Sequence, residues 1–480
     1  MTFQEIGMGP KAFASESMPL VKLFTARLGE LGVVWDAEGK ARYESSARHG
    51  QGRACAVVRP TSSDELCWVV EHLLAAGTPF VVQGAGTGLV AGATPSPEGT
   101  QWVISTQRMK QALEIDVTNR TATVSAGYRL SDLNQAAAKH GLTFPIDLGA
   151  DPTIGGMVAT NTGGARLIRY GGVRENLLDL GAVLARKPAE IVGGQRALRK
   201  NNTGLSWAQL LCGTFGAFGI ITDATLKLHQ LPRQTATALI ATDSASDAIS
   251  LLGSLESELG EFVSAFEGIS RNALCAVLDH GVQSPFPEVP IYAVLLELTT
   301  TIPSSYGFDL DAQLMRWLEH RLTDGLVKDA AVGKPEQLWQ IRHSISEAVQ
   351  HLGRMVAFDV AVPRSRFGDF RDRSIEVVRE LAEGATVYDF GHLGDGGVHL
   401  NLIVPGDTSA EKVQALRDAI YALTVDEFHG SFSAEHGIGP YNYRWYRGHT
   451  ELAKLDLSAA LHRYFDPFDR LGNVRLGQLS

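Results

Sequence analysis

Two histidines flank a glycine-rich turn in the second half of the chain. His392 and His399 stand on either side of Leu-Gly-Asp-Gly-Gly-Val, between two apolar segments. If those segments pair as a hairpin, both imidazoles can point to one face, together with Asn401 two residues further on. Glu435 and His436 follow later, in Ser-Ala-Glu-His-Gly-Ile-Gly. Two imidazoles and one carboxylate are a common ligand set for Zn²⁺, Mn²⁺ or Fe²⁺ with open positions for substrate.

The residue types and their spacing do not by themselves decide whether these side chains bind a metal ion. A pair of histidines seven positions apart is more often part of a hydrogen-bonded core or surface than a ligand pair. Glu435 and His436 are neighbours, and neighbours on an extended strand point to opposite faces. They can serve one site only if Gly437 helps to bend the chain.

A predicted helix between these motifs carries a cation. Pro335 stands at its start, and Arg342 and Ser346, spaced i and i+4, share one face. Arg342 could bind a substrate carboxylate with two hydrogen bonds. The alternative is an ion pair on the surface.

Three segments rich in glycine and small residues lie in the first half. The segment 83–89, QGAGTGL, directly follows a predicted strand, and its amides could surround a pyrophosphate. A Rossmann fingerprint would need glycine at Leu89 and an acidic residue about 20 positions later, which counts against NAD. Segments 147–164 and 213–222 suit a chain passing close to a flat polar ring. Any one could be a structural turn, but three together favour one large planar cofactor that carries phosphate.

The elements that must position these residues form an α+β pattern. Apolar residues from Leu66 to Leu74 recur at helical spacing after Ser62 or Ser63, a candidate cap, and Ser131 is the candidate cap of the next helix. Amphipathic helices are predicted around 245–258, 310–322, 335–352, 366–382 and 409–423. Short strands alternate with them, which predicts an antiparallel sheet with helices on one face.

Composition excludes several classes of protein. The 480 residues predict two or three domains, and 43 basic against 53 acidic residues give a net charge of −10, which disfavours nucleic acid as a partner. Four widely spaced cysteines fit a reducing compartment. The segment MTFQEIGMGPKAFASESMPL lacks the pattern of a secretory leader, and no later stretch offers about 18 apolar residues for a membrane span. We therefore expect a cytoplasmic protein without a transmembrane segment.

The motifs together resemble a known family. QGAGTGLVAGA, IDLGADPTIGGMVATNTGGARLIRYG and GTFGAFGIITDATLKL, in this order, resemble the FAD-binding domain of the vanillyl-alcohol-oxidase (PCMH-type) superfamily. GHLGDGGVHLNL and SAEHGIG resemble the FAD-linked D-2-hydroxyacid dehydrogenases, which include D-lactate, D-2-hydroxyglutarate and glycolate dehydrogenases. The resemblance covers roughly residues 50–470.

The resemblance implies an α+β fold with a PCMH-type FAD-binding domain of two α+β subdomains and a cap domain, an antiparallel sheet covered by helices. The expected division is an N-terminal helical segment at 1–50, the FAD-binding domain at 51–231, the substrate or cap domain at 232–429, and a C-terminal segment at 430–480 that packs back on the FAD domain.

The resemblance also implies which positions hold the cofactor. The pyrophosphate would be held by Gly84, Ala85, Gly86, Thr87, Gly88 and Leu89. The flavin would be lined by Asp151, Thr153, Gly155, Gly156, Thr160, Asn161 and Gly163. Ile220 would touch the adenine side. The first loop has no histidine to form a covalent link, so noncovalent FAD is favoured.

The implied chemistry is oxidation of a small D-2-hydroxy acid to the 2-oxo acid by hydride transfer to flavin N5. His392, His399 and Glu435 would bind a divalent metal, Zn²⁺ or Mn²⁺, and His436 would be the base, with a fourth ligand or a helper of Glu435 as its other possible roles. Arg342, Ser346 and Asn401 would contact the substrate. Relatives that act on hydroxyglutarate carry a lysine where this chain has Ala357, which weakens the case for a dicarboxylic substrate.

Two alternatives remain at this stage. One is a nonredox transferase that resembles alkyl-dihydroxyacetonephosphate synthase, and the other is a flavin-binding subunit of a glycolate-oxidase-like complex. The absence of a second nucleotide fingerprint favours a quinone, a flavoprotein or a dye-like carrier over NAD as electron acceptor, with oxygen as a further alternative. We expect a homodimer.

Overall fold

A computed structural model describes residues 10–48, 50–194 and 196–477. The first sheet is mixed and has the strand order β1-β2-β4-β3, with β2, β3 and β4 parallel to one another. Its strands are β1 (Val33–Val34), β2 (Val57–Val58), β3 (Phe80–Gln83) and β4 (Trp102–Ser105). The parallel pair β3 and β4 needs a long crossover, and the glycine-rich segment that follows β3 supplies it.

The second sheet is antiparallel, with the order β5-β6-β10-β8-β9, and a two-stranded ladder pairs β7 with β11. The strands are β5 (Leu113–Asp116), β6 (Thr121–Ser125), β7 (Leu142–Thr143), β8 (Leu177–Leu184), β9 (Glu190–Gly193), β10 (Ile220–Lys227) and β11 (His229–Gln230). Two α+β layers therefore precede residue 232.

The third sheet has seven antiparallel strands in the order β15-β12-β14-β13-β17-β18-β16. They are β12 (Gln234–Thr242), β13 (Val263–Ser270), β14 (Tyr292–Thr300), β15 (Asp329–Gly333), β16 (Arg354–Ala361), β17 (Thr386–Gly391) and β18 (Gly397–Val404). The predicted hairpin across the 392–399 turn is confirmed, because β17 pairs with β18.

Sixteen helices are described. They are α1 (Pro10–Leu28), α2 (Ala37–Ala41), α3 (Ser63–Ala75), α4 (Leu130–Ala138), α5 (Ile154–Thr160), α6 (Leu167–Tyr170), α7 (Val173–Asn176), α8 (Trp207–Leu211), α9 (Ala245–Leu259), α10 (Arg271–Asp279), α11 (Leu310–Thr323), α12 (Pro335–His351), α13 (Phe367–Leu381), α14 (Ala410–Ala422), α15 (Gly439–His449) and α16 (Leu452–Phe465). Ser62 caps α3 by accepting from the Glu65 amide. The prediction that Ser131 caps α4 is wrong, because α4 begins at Leu130 and the Ser131 amide and hydroxyl donate to Asp151.

Helices cover both faces of the third sheet, which corrects the expected single face. Residues of α9, α11, α13 and α14 form one core with the sheet, and residues of α10 and α12 form a second core on the opposite face. The reason lies in strands such as β14, in which every residue from Tyr292 to Thr300 is buried. A strand that is apolar at nearly every position must be covered on both sides.

Strands β16 and β18 differ because they alternate between apolar and polar residues. In β18, Val398, Leu400 and Leu402 enter the first core, so His399 and Asn401 face the other way. The same alternation in β16 turns Ala357 and Asp359 toward that second face. The part of the second face that α10 and α12 leave uncovered thus carries the polar side chains.

The C-terminal residues return to the first sheet. Leu471 forms a parallel bridge with Phe80, and the Asn473 side chain donates to the Thr94 carbonyl and accepts from Gln101. The predicted α+β fold class is confirmed, while the boundaries at 51, 232 and 430 stay predictions. In the described part of the chain, none of the helices has both the length and the apolar character needed to span a bilayer.

Candidate active site

Three imidazoles converge on one carboxylate oxygen. Glu435 Oε1 lies 3.7 Å from His392 Nε2, 3.6 Å from His399 Nε2 and 3.7 Å from His436 Nε2. Two atoms that each lie about 2.1 Å from one metal at a tetrahedral angle are about 3.4 Å apart. The spacing and the nitrogen and oxygen donors therefore fit a divalent cation, and the structure brings together the three predicted ligands and the predicted base.

A buried glutamate orients the first histidine. Glu267 in β13 is 1% exposed and accepts hydrogen bonds from His392 Nδ1 at 2.8 Å and from Arg342 Nε at 2.6 Å. Burial raises the pKa of Glu267, but the charges of His392 and Arg342 outweigh burial and hold that pKa at about 2. Because the Glu267 carboxylate is hydrogen-bonded to Nδ1 of His392, Nε2 of that ring is directed at the cluster. This arrangement is typical of metal-binding histidines.

Asp359 plays the same structural part for the other side of the cluster. Its carboxylate lies 3.3 Å from His436 Nδ1 and 3.8 Å from His399 Nδ1, and it accepts the backbone amides of Glu435 and His436. Burial lowers the pKa of His399 well below its usual value; Glu435 opposes this effect, and His392 and His436 add to it. The neutral imidazole is the form that can bind a metal ion.

Gly437 allows Glu435 and His436 to serve one site, as the sequence predicted. It has φ of +84°, and its amide donates to the Ser433 hydroxyl at 2.8 Å, which closes a tight turn. A Cβ at this position would lie 1.7 Å from Cζ of Phe215. The turn therefore depends on glycine both for its backbone angle and for the space that Phe215 fills.

We expect Gly437→Ala to lower the free energy of unfolding by about 2 kcal/mol or more, because it adds backbone strain to steric overlap. It should also reduce turnover, since Glu435 and His436 would move. Gly448→Ala is the matched control: Gly448 lies exposed in α15 with open space at Cβ, and alanine there should gain about 0.5–1 kcal/mol. Thermal and urea unfolding measure both, and equal stability of the two variants would contradict the role of the turn.

The glycine-rich loop after β3 offers free amides. Among the described residues, no acceptor takes a hydrogen bond from the backbone N–H groups of Ala85 to Leu89. Gly86 has φ of +75° and open space at its Cβ position. A Cβ on Gly84 would lie 2.1 Å from Thr153 Oγ1, so this loop packs closely on the second small-residue segment. A run of unpaired amides fits an anionic diphosphate.

The second segment places the other predicted cofactor residues. Thr153 is 1% exposed, and its hydroxyl is buried without a hydrogen-bond partner in the described chain. Gly155 and Gly156 lie in the first turn of α5, Thr160 Oγ1 donates to the Gly156 carbonyl, and Asn161 ends the helix with φ of +51°. An orphaned hydroxyl beside small residues fits a polar ring.

The remaining three predicted cofactor residues, Gly163, Asp151 and Ile220, lie in three different environments. Gly163 lies next to the cluster, since a Cβ there would be 3.7 Å from Glu435 Oε2. The Asp151 carboxylate is exposed and accepts from the Ser131 amide and hydroxyl. Ile220 is buried at 1% exposure in the core of the first sheet. The segment around Gly163 thus joins the small-residue loops to the histidine cluster.

The three predicted substrate contacts differ in position. Arg342 is buried and paired with Glu267, with its guanidinium 4.8 Å from the Phe390 ring, so it is not a surface ion pair. Asn401 is 5% exposed on the same face as His399. Ser346 is exposed, one turn beyond Arg342. The structure brings Arg342 and Asn401 near the cluster, while the role of Ser346 stays a prediction.

Glu267 and Asp359 were not among the site residues predicted from the sequence. Each is an acidic residue inside an otherwise apolar strand, in VSAFEGIS and RMVAFDVA. A charge there costs free energy unless it is paired, so a lone carboxylate in such a strand was a signal that could have identified both residues.

Comparisons with known proteins identify the family to which the chain belongs. Residues 54–187 match the model of an FAD binding domain, and residues 231–475 match the C-terminal domain of FAD linked oxidases. The chain is 32% identical to a D-2-hydroxyglutarate dehydrogenase of Xanthomonas citri pv. viticola, over 86% of this chain and 87% of that protein. It is 33% identical to the mitochondrial D-2-hydroxyglutarate dehydrogenase of Rattus norvegicus, over 81% and 72%.

A solved structure of alkyldihydroxyacetonephosphate synthase is similar with a TM-score of 0.70 at 15% identity, over 99% of this chain and 87% of that one. At this identity the likeness shows the fold alone, and the transferase alternative is not favoured. The predicted FAD-binding domain and the predicted kinship with enzymes of the FAD-linked D-2-hydroxyacid dehydrogenase group are confirmed. The chain belongs to the family of FAD-linked oxidases.

Proposed function

We propose that this protein oxidises a D-2-hydroxy acid to the 2-oxo acid, with noncovalent FAD as hydride acceptor and with Zn²⁺ or Mn²⁺ held by His392, His399 and Glu435. The observation that carries the proposal is the convergence of three imidazole Nε2 atoms on Glu435, beside Gly163 of the small-residue segment. The dehydrogenases among its relatives support the same reaction.

The reaction removes the hydroxyl proton and a hydride from C2. When bound, FAD accepts the hydride and a divalent cation stabilises the developing alkoxide. His436 is suited to take the hydroxyl proton at Nε2, because Asp359 lies against its Nδ1 and fixes the ring. Glu267 fixes the His392 ring in the same way. Each imidazole thus keeps the orientation that the chemistry needs.

The chain would hold the cofactor through its small-residue segments. The free amides of Ala85 to Leu89, which follow Gly84, are suited to the pyrophosphate. The buried Thr153 hydroxyl, with Gly155, Gly156, Thr160 and Asn161, is suited to the edge of the flavin. Gly163 would then bring the flavin close to Glu435. We retain Asp151 as a flavin contact and Ile220 as a contact on the adenine side. In the structure, both side chains contact other residues of the protein.

The remaining roles concern the substrate and the partners. Asn401 faces the same side as His399 and is suited to a substrate oxygen, whereas Arg342 acts through Glu267 and His392. We retain a quinone or a flavoprotein as electron acceptor, a homodimer as the assembly and the cytoplasm as the location, as parts of this proposal.

The direct test is the colour of the purified protein. We expect a yellow preparation that a D-2-hydroxy acid bleaches under anaerobic conditions, because the flavin spectrum disappears on reduction. The L-enantiomer of the same acid is the control and should bleach it far more slowly. A colourless protein that cannot be reconstituted with FAD, or a yellow one that no hydroxy acid reduces, would refute the proposed function.

A further inference from the structure

Arg166 closes the second small-residue segment into a loop. The segment spans residues 147–164, and its two ends meet because the Ala165 amide donates to the Asp147 carbonyl at 3.3 Å. Arg166 Nη1 also donates to the Asp147 carboxylate at 2.8 Å. The residues proposed to line the flavin all lie within this 147–164 loop, so Arg166 joins the two ends of the chain that carries them.

The rest of the Arg166 guanidinium reaches the third sheet. Its Nε and Nη2 atoms donate to the two carboxylate oxygens of Glu297 in β14, at 2.8 and 3.0 Å. Glu297 is 2% exposed and also accepts from the Ser264 hydroxyl at 2.7 Å and from Trp339 Nε1 at 2.8 Å. Two parallel hydrogen bonds fix direction as well as distance, so this pair holds the loop against the sheet in one orientation.

Both partners of this contact are ionised. Burial raises the pKa of Glu297, but the hydrogen bonds and the charge of Arg166 outweigh burial and lower that pKa below its usual value. Burial lowers the pKa of Arg166, but Glu297 and Asp147 outweigh it and raise that pKa above its usual value. The loop is therefore attached to the sheet by a charged pair, and loss of either partner leaves the other charge without its counter-ion.

Glu297 lies beside the carboxylate that orients His392. Glu297 pairs with Ala265 across strands β14 and β13, and Glu267 is two residues further along β13. Residues related in this way are diagonal neighbours on one face of a sheet, with Cα atoms about 7–8 Å apart. Glu267 accepts the hydrogen bond from His392 Nδ1. One face of the sheet thus receives the 147–164 loop at Glu297 and the histidine cluster at Glu267.

The loop also meets the cluster directly. A Cβ on Gly163 would lie 3.7 Å from Glu435 Oε2. Gly163 comes three residues before Arg166, and three residues of chain span about 10 Å at most. The position of Gly163 beside Glu435 therefore depends on where Arg166 is anchored.

We propose that Arg166 is a positioning residue: through its pair with Glu297 it sets the distance between the flavin on the 147–164 loop and the substrate at the histidine cluster. This inference rests on the proposed function, in which the hydride passes from C2 to flavin N5. Arg166 acts through the loop and the sheet. A displacement of about 1 Å between reacting groups can slow a reaction by ~10²-fold, so the rate of hydride transfer should depend on this pair.

The test removes the two charges in turn. Arg166→Met leaves a buried carboxylate at Glu297 and should lower the stability measured by urea unfolding. Adding Glu297→Gln removes that charge, keeps an acceptor for Trp339 and Ser264, and should recover most of the stability. Asp147 is 21% exposed and can be hydrated instead.

The rates separate positioning from stability. In the double variant, anaerobic flavin reduction per bound flavin should stay about 10- to 100-fold slower than in the wild type, with D-2-hydroxyglutarate, or else D-lactate, as reductant. Reoxidation of the reduced flavin by ferricyanide should match the wild type, because it does not require the histidine cluster. Arg166→Lys keeps the charge without the two parallel hydrogen bonds and should give an intermediate rate of reduction.

Arg371→Met with Asp389→Asn is the matched control. Arg371 Nε and Nη2 donate to the two oxygens of the buried Asp389 carboxylate at 2.8 and 3.1 Å, so the pair has the same form as the one at Arg166. Its partners lie in α13 and β17 and do not join the 147–164 loop to the sheet. This double variant should reduce the flavin at the wild-type rate.

Amide hydrogen exchange gives a readout that does not depend on activity. Peptides from the 147–164 loop should exchange faster in Arg166→Met/Glu297→Gln than in the wild type, with and without FAD, and should not change in the control. Wild-type flavin reduction in the double variant, or unchanged exchange in its loop, would overturn this inference and leave the proposed function standing. If no D-2-hydroxy acid reduces the wild-type flavin, the proposed function fails and this inference fails with it.

Discussion

Replacing His436 by alanine is expected to slow anaerobic flavin reduction by ~10²-fold or more, the usual cost of losing a general base. The reason is geometric: Nε2 points to the centre of the cluster, 3.7 Å from Glu435 Oε1, while Asp359 lies 3.3 Å from Nδ1. Flavin and metal should stay bound, because the three proposed ligands are unchanged. Rapid-mixing absorbance spectra and metal analysis of the same sample measure these quantities.

His449→Ala is the matched control for this experiment. The His449 side chain is 16% exposed against 15% for His436, and its Nδ1 lies 3.4 Å from Asp426 Oδ1. It shares burial and an aspartate partner with His436 but lies in α15, outside the cluster. Its removal should leave flavin reduction within about twofold of wild type. If His436→Ala reduced the flavin normally, the residue would not be the base; if it lost the metal as well as the rate, it would be a ligand.

Much of the candidate site could be predicted from the sequence because its proposed metal ligands lie in local motifs. The 392–399 hairpin follows from two apolar segments around a turn of small residues, and its pairing fixes both histidines on one face. The bend at Gly437 follows from the need to direct two neighbouring residues to one place. Each of these conclusions needs information from fewer than about ten residues, which is the range over which periodicity and turn chemistry operate.

The positions of the buried charges required the tertiary structure. Glu267 meets His392 across 125 positions of sequence, and Arg417 meets Ala357 across 60. No local pattern selects such partners, because strand order in the third sheet brings them together. The same reason explains why Arg342, which the sequence favours as a substrate contact, proves to be paired with Glu267.

Which faces of the third sheet the helices cover could not be predicted from the helix sequences, for a different reason. Amphipathic helices at the expected positions did not reveal which face each would cover, and the prediction of a single covered face failed. The strands held the information: β14 is buried throughout, whereas β16 and β18 alternate. The alternating strands mark where the helices stop and the histidine cluster begins.

Removal of the metal is the second change that we expect to have a large effect on activity. Prolonged chelation of the wild-type protein is expected to reduce kcat/KM by about 10³-fold, since a cation at a developing alkoxide supplies several kcal/mol. Addition of Zn²⁺ or Mn²⁺ should restore activity. The FAD spectrum should not change, because the proposed cofactor contacts lie in the small-residue segments. Metal analysis and steady-state rates before and after each step measure the effect.

Two variants decide whether that metal lies in the cluster. Glu435→Gln keeps the shape of the side chain but removes the charge on which three imidazoles converge, so it should neither retain the metal nor recover activity when metal is added. His351→Ala is the control, because His280, Glu347 and His351 form an exposed group that could also bind a metal ion. It should respond like the wild type. Chelation without effect on the wild-type rate would remove the metal from the mechanism. Loss of metal in His351→Ala alone would place the ion at the exposed group instead of the cluster.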